Sequence, residues 1–586
     1  MLKLKSNLIL LCFLLACQTV FSQNTSKSGG EVFAEIPTLH CLGFRWPILG
    51  DLNKNAIIKV SYKESKSLTW KEGFPLLRTI PNPHKDNRSN VHTVKGGWMF
   101  AGSIFGLTPN TEYDVKLILT DPDGGNETKQ LKLKTWEEPV APKGLKVVYV
   151  SPGEKGGDGS MANPYLGTSE IGKAVAEGTM VMFKPGVYKP FSIANSGTLE
   201  KPIIYMVNGK GEVVFDGGGD EEKKGSIIHF EGKKHLWFEN LTFKGMSYAL
   251  NGNASSHIVV RGCTFKNVQK GFNAQNGGYQ TSQRFFVVDN TFVGSAVWPR
   301  TKGIESLCLT YLSGSGHIIA YNKITNTGDA VHGTGHGSWS ACDIYNNDMN
   351  ICTDDGIETD HCEFNIRVWN NRMVNVAHGV TSQPSRGGPV YIFRNVIYNA
   401  TYSPFKLHNH TTGVYLFHNT CFKKTNGFNI HPANETVTNV ISRNNLFMCA
   451  SGMGLDVGTS NVKLQDFDND GFGGFNKFAR WNGSKVFGTI KDALASKEIY
   501  FKTGAIEVAS ANCFMTNLQA PKDENKIYSS QEIDCRLAPN SGAIDKGQVL
   551  PNFNDNFTGK APDLGAVELG SPLPIYGPRP KTPTLK

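Results

Sequence analysis

Ile344-Tyr345-Asn346-Asn347-Asp348-Met349, Val368-Trp369-Asn370-Asn371-Arg372-Met373, Ile392-Phe393-Arg394-Asn395-Val396-Ile397 and Leu416-Phe417-His418-Asn419-Thr420-Cys421 repeat one pattern. A polar residue, usually Asn, has apolar residues two before and two after it. The full series is Asn240, Cys263, Asn290, Asn322, Asn347, Asn371, Asn395, Asn419 and Asn444, and from Asn322 the spacing is 25, 24, 24, 24 and 25 residues. That is the period of a solenoid rung, in which residues far apart in sequence stack in columns. Stacked amides satisfy one another inside such a coil, and Ile, Val, Leu and Phe of the flanking strands fill its core. A jelly roll or propeller would show antiparallel hairpins with tight turn signals instead. The expected fold is all-β, a right-handed parallel β-helix preceded by a small β-sandwich.

The chain begins with a leader. Lys3 and Lys5 precede the apolar run Leu8–Ala16, and Val20 and Ser22 place a cut before Gln23, so residues 1–22 read as a signal peptide. Leu14-Leu15-Ala16-Cys17 is an imperfect lipobox, the alternative, which would anchor the chain by a lipid at Cys17. The run is too short for a permanent span, and no second candidate follows. The protein is expected to be secreted or periplasmic, or else an outer-membrane lipoprotein. Its net charge of +9 suits an anionic partner. For an exported protein that partner is an acidic or sulfated polysaccharide, and no nucleic-acid motif is present. After the cut, ten of the 12 cysteines remain, with no CxxC pair and no assignable disulfide; Cys342, Cys352 and Cys362 read as ordinary inward or turn positions.

Residues 30–137 carry alternating strands such as Ala56–Tyr62 and Tyr113–Leu119. The stretch Leu107-Thr108-Pro109-Asn110-Thr111-Glu112-Tyr113 resembles the late-strand corner of fibronectin type III domains. Pro139-Val140-Ala141-Pro142 reads as a stiff link. The opening at Tyr149-Val150-Ser151-Pro152-Gly153, a helix near Ile171–Ala176 and Val181–Tyr188 resemble the capped start of right-handed parallel β-helix proteins. The β-helix is expected over 145–570. An irregular insertion near 461–535 contains Asp466, Asp468 and Asp470, which makes Ca2+ a candidate cofactor. Leu537–Asp545 and Asp563–Glu568 resemble the closing segments of secreted β-helix carbohydrate enzymes, implying a final coil and cap.

The chemistry is expected in one column. Phe272–Gln275, Asp329–His332, Asp355–Glu358, His378–Thr381, Phe405–His408, Phe428–His431 and Leu455–Gly458 align with an apolar third residue pointing inward. Period-two alternation then sends the second and fourth residues outward. The fourth positions read Gln275, His332, Glu358, Thr381, His408 and His431, about 4.8 Å apart, a sugar-like spacing. Small residues at Ala330, Gly356 and Gly379 leave room for a subsite floor. Asp354, Asp355, Glu358, Asp360 and His361 crowd ionisable groups into adjacent rungs.

Asp354, Asp355, Glu358 and His332 are the candidate catalytic residues. Trp298, Arg300, His336, Trp339, Arg386, Lys406, His408 and His431 are the candidate substrate contacts, indoles to stack on sugar faces and cations to hold carboxylate or sulfate. Paired carboxylates suit glycoside hydrolysis. Asp354-Asp355 is similar to the adjacent Asp pair of polygalacturonase-like hydrolases in the pectin-lyase-like superfamily, although that family's Asn-x-Asp, Gly-His-Gly and Arg-x-Lys motifs have no clean match. The resemblance implies a secreted glycosidase of polysaccharide degradation. One alternative is a uronate polysaccharide lyase using His332, His408, Lys406 and Arg386. Another is a non-catalytic glycan-binding surface protein.

Overall fold

The computed structural model describes residues 24–81, 91–276, 281–301, 307–333, 339–430, 437–458, 465–499 and 503–580. Residues 27–134 form two antiparallel sheets. One contains Leu42–Leu49 beside Gly97–Ile104, and the other contains Ile57–Glu64 beside Glu112–Thr120. Alternate residues Ile58, Val60 and Tyr62 face Val115, Leu117, Phe44 and Trp46 in a buried core. At the corner the Thr108 N–H donates to the Tyr113 hydroxyl at 2.9 Å.

The rest is a parallel β-solenoid of about 11 turns. One face is a 14-stranded sheet from Lys146–Ser151 to Gln465–Phe467, and the other a 19-stranded sheet from Gly186–Tyr188 to Ile506–Glu507. The helix Ile171–Ala174 closes the first end, with Ile171 and Val175 in the core. At the far end Lys477–Trp481, Lys485–Phe487 and the helix Ile490–Ser496 bring Trp481, Phe487 and Ala493 over the last rung. Thr489 and Asp492 form a reciprocal capping box on that helix.

The asparagine column is a continuous hydrogen-bonded ladder. The Asn347 backbone N–H and Nδ2 donate to Asn371 Oδ1 at 3.1 and 2.9 Å. Asn371 donates likewise to Asn395, and Asn395 to Asn419. The ladder differs from expectation at both ends by one residue. Asn445, not Asn444, receives the bonds of Asn419. Asn240 and Asn444 instead occupy left-handed turns, at φ 56° and 60°. The ladder stops at Asp470, whose Oδ1 accepts from Asn445 and which has no amide to pass on. Burial pushes the Asp470 carboxyl up to about 6.

Two further expectations are corrected. The closing segments are not a final coil: Leu537, Ala543, Leu564 and Ala566 pack outside the solenoid against Val374, Val396, Phe422 and Leu446. The far cap is residues 477–499 instead. Asp466, Asp468 and Asp470 do not converge, because Asp466 lies in the strand Gln465–Phe467 and the other two in the turn that follows it. Asp466 pairs with Arg443, Asp468 accepts from Thr503 and Gly504, and Asp470 ends the ladder. The link at Pro139 is tied to the solenoid by Arg261, which donates to its carbonyl at 3.0 Å.

The ten described cysteines are buried free thiols. No described helix is long and apolar enough to cross a membrane. The N-terminal sheets dock on the 14-stranded face. There Phe105 packs on Tyr391 and Phe393, and the fully buried Arg367 bridges Asp343 and Ser103.

Asn371→Ala is expected to cost about 3 kcal/mol or more, because it orphans buried donors on Asn347 and acceptors beside Asn395. Urea unfolding checks this, with exposed Asn525→Ala staying within about 0.5 kcal/mol of the parent.

Candidate active site

Strands Val331–Gly333, Asp348–Glu358, Arg372–Ser382 and Val396–Leu407 stack in the 19-stranded sheet. Their register places Tyr311, His332, Glu358, Thr381 and Lys406 in one outward column. Two parts of the expected alignment slip by two residues. Val380 pairs with Phe405, so Lys406 takes the place expected for His408. Phe272 pairs with Thr310, which pairs with Val331, so Asn273 and Tyr311 precede His332 and Gln275 does not.

The alternation also breaks. The segment Cys352–Asp355 carries one residue more than Val376–His378, which it faces, and the register shifts there. The second positions of these rungs also turn inward. Ala330 is wholly buried, a Cβ at Gly356 would lie 2.7 Å from Met373 Sδ, and one at Gly379 would lie 2.6 Å from Ile397 Cδ1. They are packing positions, not a subsite floor. The first positions, Asp329 and Asp355, turn to the same side as His332 and Glu358.

The result is a compact acidic constellation. His332 Nδ1 lies 3.2 Å from Asp329 Oδ2 and contacts Glu358 Oε2. Asp355 Oδ2 accepts from Thr381 Oγ1 at 3.3 Å and faces Lys406 Nζ at 3.4 Å. Arg300 pairs with Asp354 at 3.3 Å. Asp360 accepts from the Gln383 N–H at 2.7 Å, and its carboxyl donates to that of Glu358, a bond that raises Asp360 and lowers Glu358. A carboxyl–carboxyl hydrogen bond needs a proton on one partner.

Electrostatics agree with that proton. Burial first, then the charge of Asp329, pushes the carboxyls of Asp355 and Glu358 well up. Burial and the neighbouring Glu358 do the same to Asp360. Burial pulls Lys406 down, but Asp355, Asp360, Asp354 and Glu358 outweigh it, so its ammonium is raised and stays charged. Donor atoms of Asp329, His332 and Glu358 all lie within 4.8 Å of one another, a mixed nitrogen and oxygen set able to hold a divalent cation. Asp354, Asp355 and His378 form a second such set.

The remaining expected contacts divide. Arg300 and Lys406 reach the constellation. Arg386 is buried one turn away, 3.4 Å from His361 Nδ1. The His408 backbone bonds Ser382 and Thr411, beyond the column. Trp298 is not a sugar platform: it is buried and its Nε1 donates to the Glu524 carbonyl at 3.0 Å. Trp339 is wholly buried in the solenoid core. His336 and His431 lie outside the described residues. The sequence reading missed Asp329 and Tyr311. The repeated spacing Asp329-x-x-His332 and Asp355-x-x-Glu358 was the available signal for Asp329.

No protein-family model and no curated protein matches the chain. Among solved structures it is similar to a PL6 family polysaccharide lyase from Pseudopedobacter saltans, at 14% identity and a TM-score of 0.35, over 62% of this chain and 96% of that one. It is also similar to the catalytic domain of a GH87 alpha-1,3-glucanase in complex with nigerose, at 10% identity and a TM-score of 0.23, over 79% and 95%. At these values the likenesses say nothing of chemistry, which rests on the residues above.

Lys406→Met is expected to destabilise the protein by about 3–5 kcal/mol at pH 8, since it strands buried carboxylates without their cation. The loss shrinks at pH 5. With the cation gone, the folded-state pKa of Asp355 rises further above its unfolded value, so stability is retained in acid and lost as pH rises through it. Urea titrations at the two pH values check the sign.

Proposed function

We propose that the Asp329–Lys406 face is the active site of a glycan-cleaving enzyme working by carboxylate acid catalysis, that is, a glycoside hydrolase. The observation that carries this reading is the crowding of Asp329, Asp355 and Glu358, which together with burial holds the Glu358 carboxyl well above its ordinary range at the edge of an outward column. Hydrolysis needs a protonated acid and an ionised second carboxylate. Glu358 supplies the acid. Asp354, paired with Arg300, is the candidate partner. An anionic substrate, expected from the basic net charge, would turn its charged groups toward Arg300, Lys406 and Lys270, whose ammonium lies 3.8 Å from the Tyr311 ring centre. Export through residues 1–22 would bring the enzyme to such a polymer.

β-Elimination on a uronate glycan is the second reading, favoured by the Asp329, His332 and Glu358 donor set. A divalent cation there would cancel the acidic charge that otherwise repels a uronate. Lys406 suits the proton-abstracting role poorly, because its raised pKa keeps it protonated.

The test is a panel of pectic, alginate, glycosaminoglycan, sulfated algal and neutral glycans. Reducing ends and absorbance near 235 nm are followed together, with and without chelator. Reducing ends without absorbance are expected, and Glu358→Gln should lower kcat about 10²–10⁴-fold. Chelator-sensitive absorbance would establish the lyase, and no product on any glycan would overturn both.

In the hydrolase the rate falls as pH rises and the acid loses its proton. Asp329→Asn removes a charge that holds Glu358 up. It is expected to move that alkaline limb to lower pH by about one unit, read from kcat/KM against pH.

A further inference from the structure

A second cleft lies on the other sheet. Its floor is the outward face of three neighbouring strands of the 14-stranded sheet, Lys234–Glu239, Ser256–Arg261 and Phe286–Val288. Its wall is the segment around Trp136 that leaves the N-terminal sheets. The volume is about 630 Å³, within the range of small-ligand sites.

His235, His257 and Arg284 occur at successive left-handed turns, with φ 54°, 58° and 56°, so their side chains form a short column of their own. The two imidazoles stack with ring centres 4.5 Å apart. The Arg284 guanidinium lies 5.4 Å from the ring centre of Trp136, and Trp237 completes the aromatic lining.

Arg284 is the informative residue. It is half-buried, yet its side chain makes no hydrogen bond or ion pair with any described residue. Burial is the sole cause acting on it, and it lowers the guanidinium pKa. The nearby acids are otherwise disposed: Glu138 is engaged by Arg579, and Glu137 is exposed with no ion pair among the described residues. A cation withdrawn from water without a counter-charge loses hydration for nothing unless something else supplies the anion. Burial also lowers His257, to about 4, and His235 below its ordinary value. Both imidazoles are therefore neutral at pH 7; His257 Nδ1 already bonds Ser256 Oγ at 3.2 Å, which leaves its Nε2 and the His235 ring to meet sugar hydroxyls.

We propose that this cleft is a non-catalytic binding site for an anionic sugar unit: the ring packs on Trp136 and Trp237, the carboxylate or sulfate meets the Arg284 fork, and His235 and His257 bond its hydroxyls. The site stands apart from the acidic column, which belongs to the other sheet, and does not depend on the reading of that column.

The experiment is isothermal titration of the full chain with tetrasaccharides of galacturonate, of a sulfated galactan and of neutral cellulose. The Glu358→Gln background slows turnover. Binding of one or both anionic probes is expected, weakened at least tenfold by Arg284→Gln and by Trp136→Ala and reduced by salt. The galacturonate and galactan arms tell carboxylate from sulfate. Thermal unfolding of each variant separates lost binding from lost fold, and Arg284→Gln, a change at a partly exposed turn, serves if Trp136→Ala does not fold. Binding unchanged in Arg284→Gln, equal binding of the neutral probe, or no binding of any probe would overturn the proposal. Binding lost only when Lys406→Met is added would assign the ligand to the acidic column and overturn it equally.

Discussion

The amide ladder is the constraint on which the rest depends. Each ladder Asn from Asn322 to Asn445 accepts two hydrogen bonds from the rung before and donates two to the rung after, so a slip of one residue there would orphan several polar groups in a dry core. Strand pairing alone fixes register weakly, because hydrophobic alternation tolerates shifts of two. The ladder removes that freedom along one edge of every rung from Cys263 to Asp470. The columns on the outer face inherit their alignment from it. His332, Glu358, Thr381 and Lys406 are neighbours because Asn322, Asn347, Asn371 and Asn395 are.

The site lies where a second irregularity is superimposed on that regular frame. Two adjacent residues, Gly356 and Ile357, both face inward, as Ala330 and Val331 do in the rung before. Asp355 and Glu358, three apart, then share the outer side. A strand of strict period two would have buried Asp355 in the apolar core, where it could not exist unpaired. This corner thus doubles the number of ionisable side chains that one rung delivers to one place, and Gly356 is needed because a Cβ there would strike Met373.

This explains what could and could not be read from sequence. The 24-residue period, the starting helix and the antiparallel N-terminal strands were legible, because each depends on local pattern. The ladder's true end was not: Asn444 and Asn445 are both Asn, and only backbone direction decides which points in. Nor was the register at Phe405-Lys406-Leu407-His408, where Phe405 and Leu407 both suit an inward position and both are buried. Trp298 and Trp339 show a related limit. An indole reads the same whether it will face a sugar, as expected, or a carbonyl and the core, as found. Within the site, Asp354, Asp355, Glu358, His332, Arg300 and Lys406 were legible by crowding, but Asp329 was not, because strict alternation assigns its position to the interior.

The energetic logic of the acidic face follows from its neighbours. Asp355, Glu358 and Asp360 are buried beside one another and beside Asp329, an arrangement that opposes folding at neutral pH. Three features offset it: the Lys406 ammonium, the shared proton between Glu358 and Asp360, and the three longest strands of the solenoid, Asp348–Glu358, Arg372–Ser382 and Val396–Leu407. Those strands begin next to Asn347, Asn371 and Asn395, where the ladder is fully bonded on both sides. The least favourable charges therefore sit on the best-anchored rungs. Without such anchoring, carboxylates this close would separate toward solvent, each would regain an ordinary pKa, and the proton on which the proposed acid catalysis depends would be lost to water.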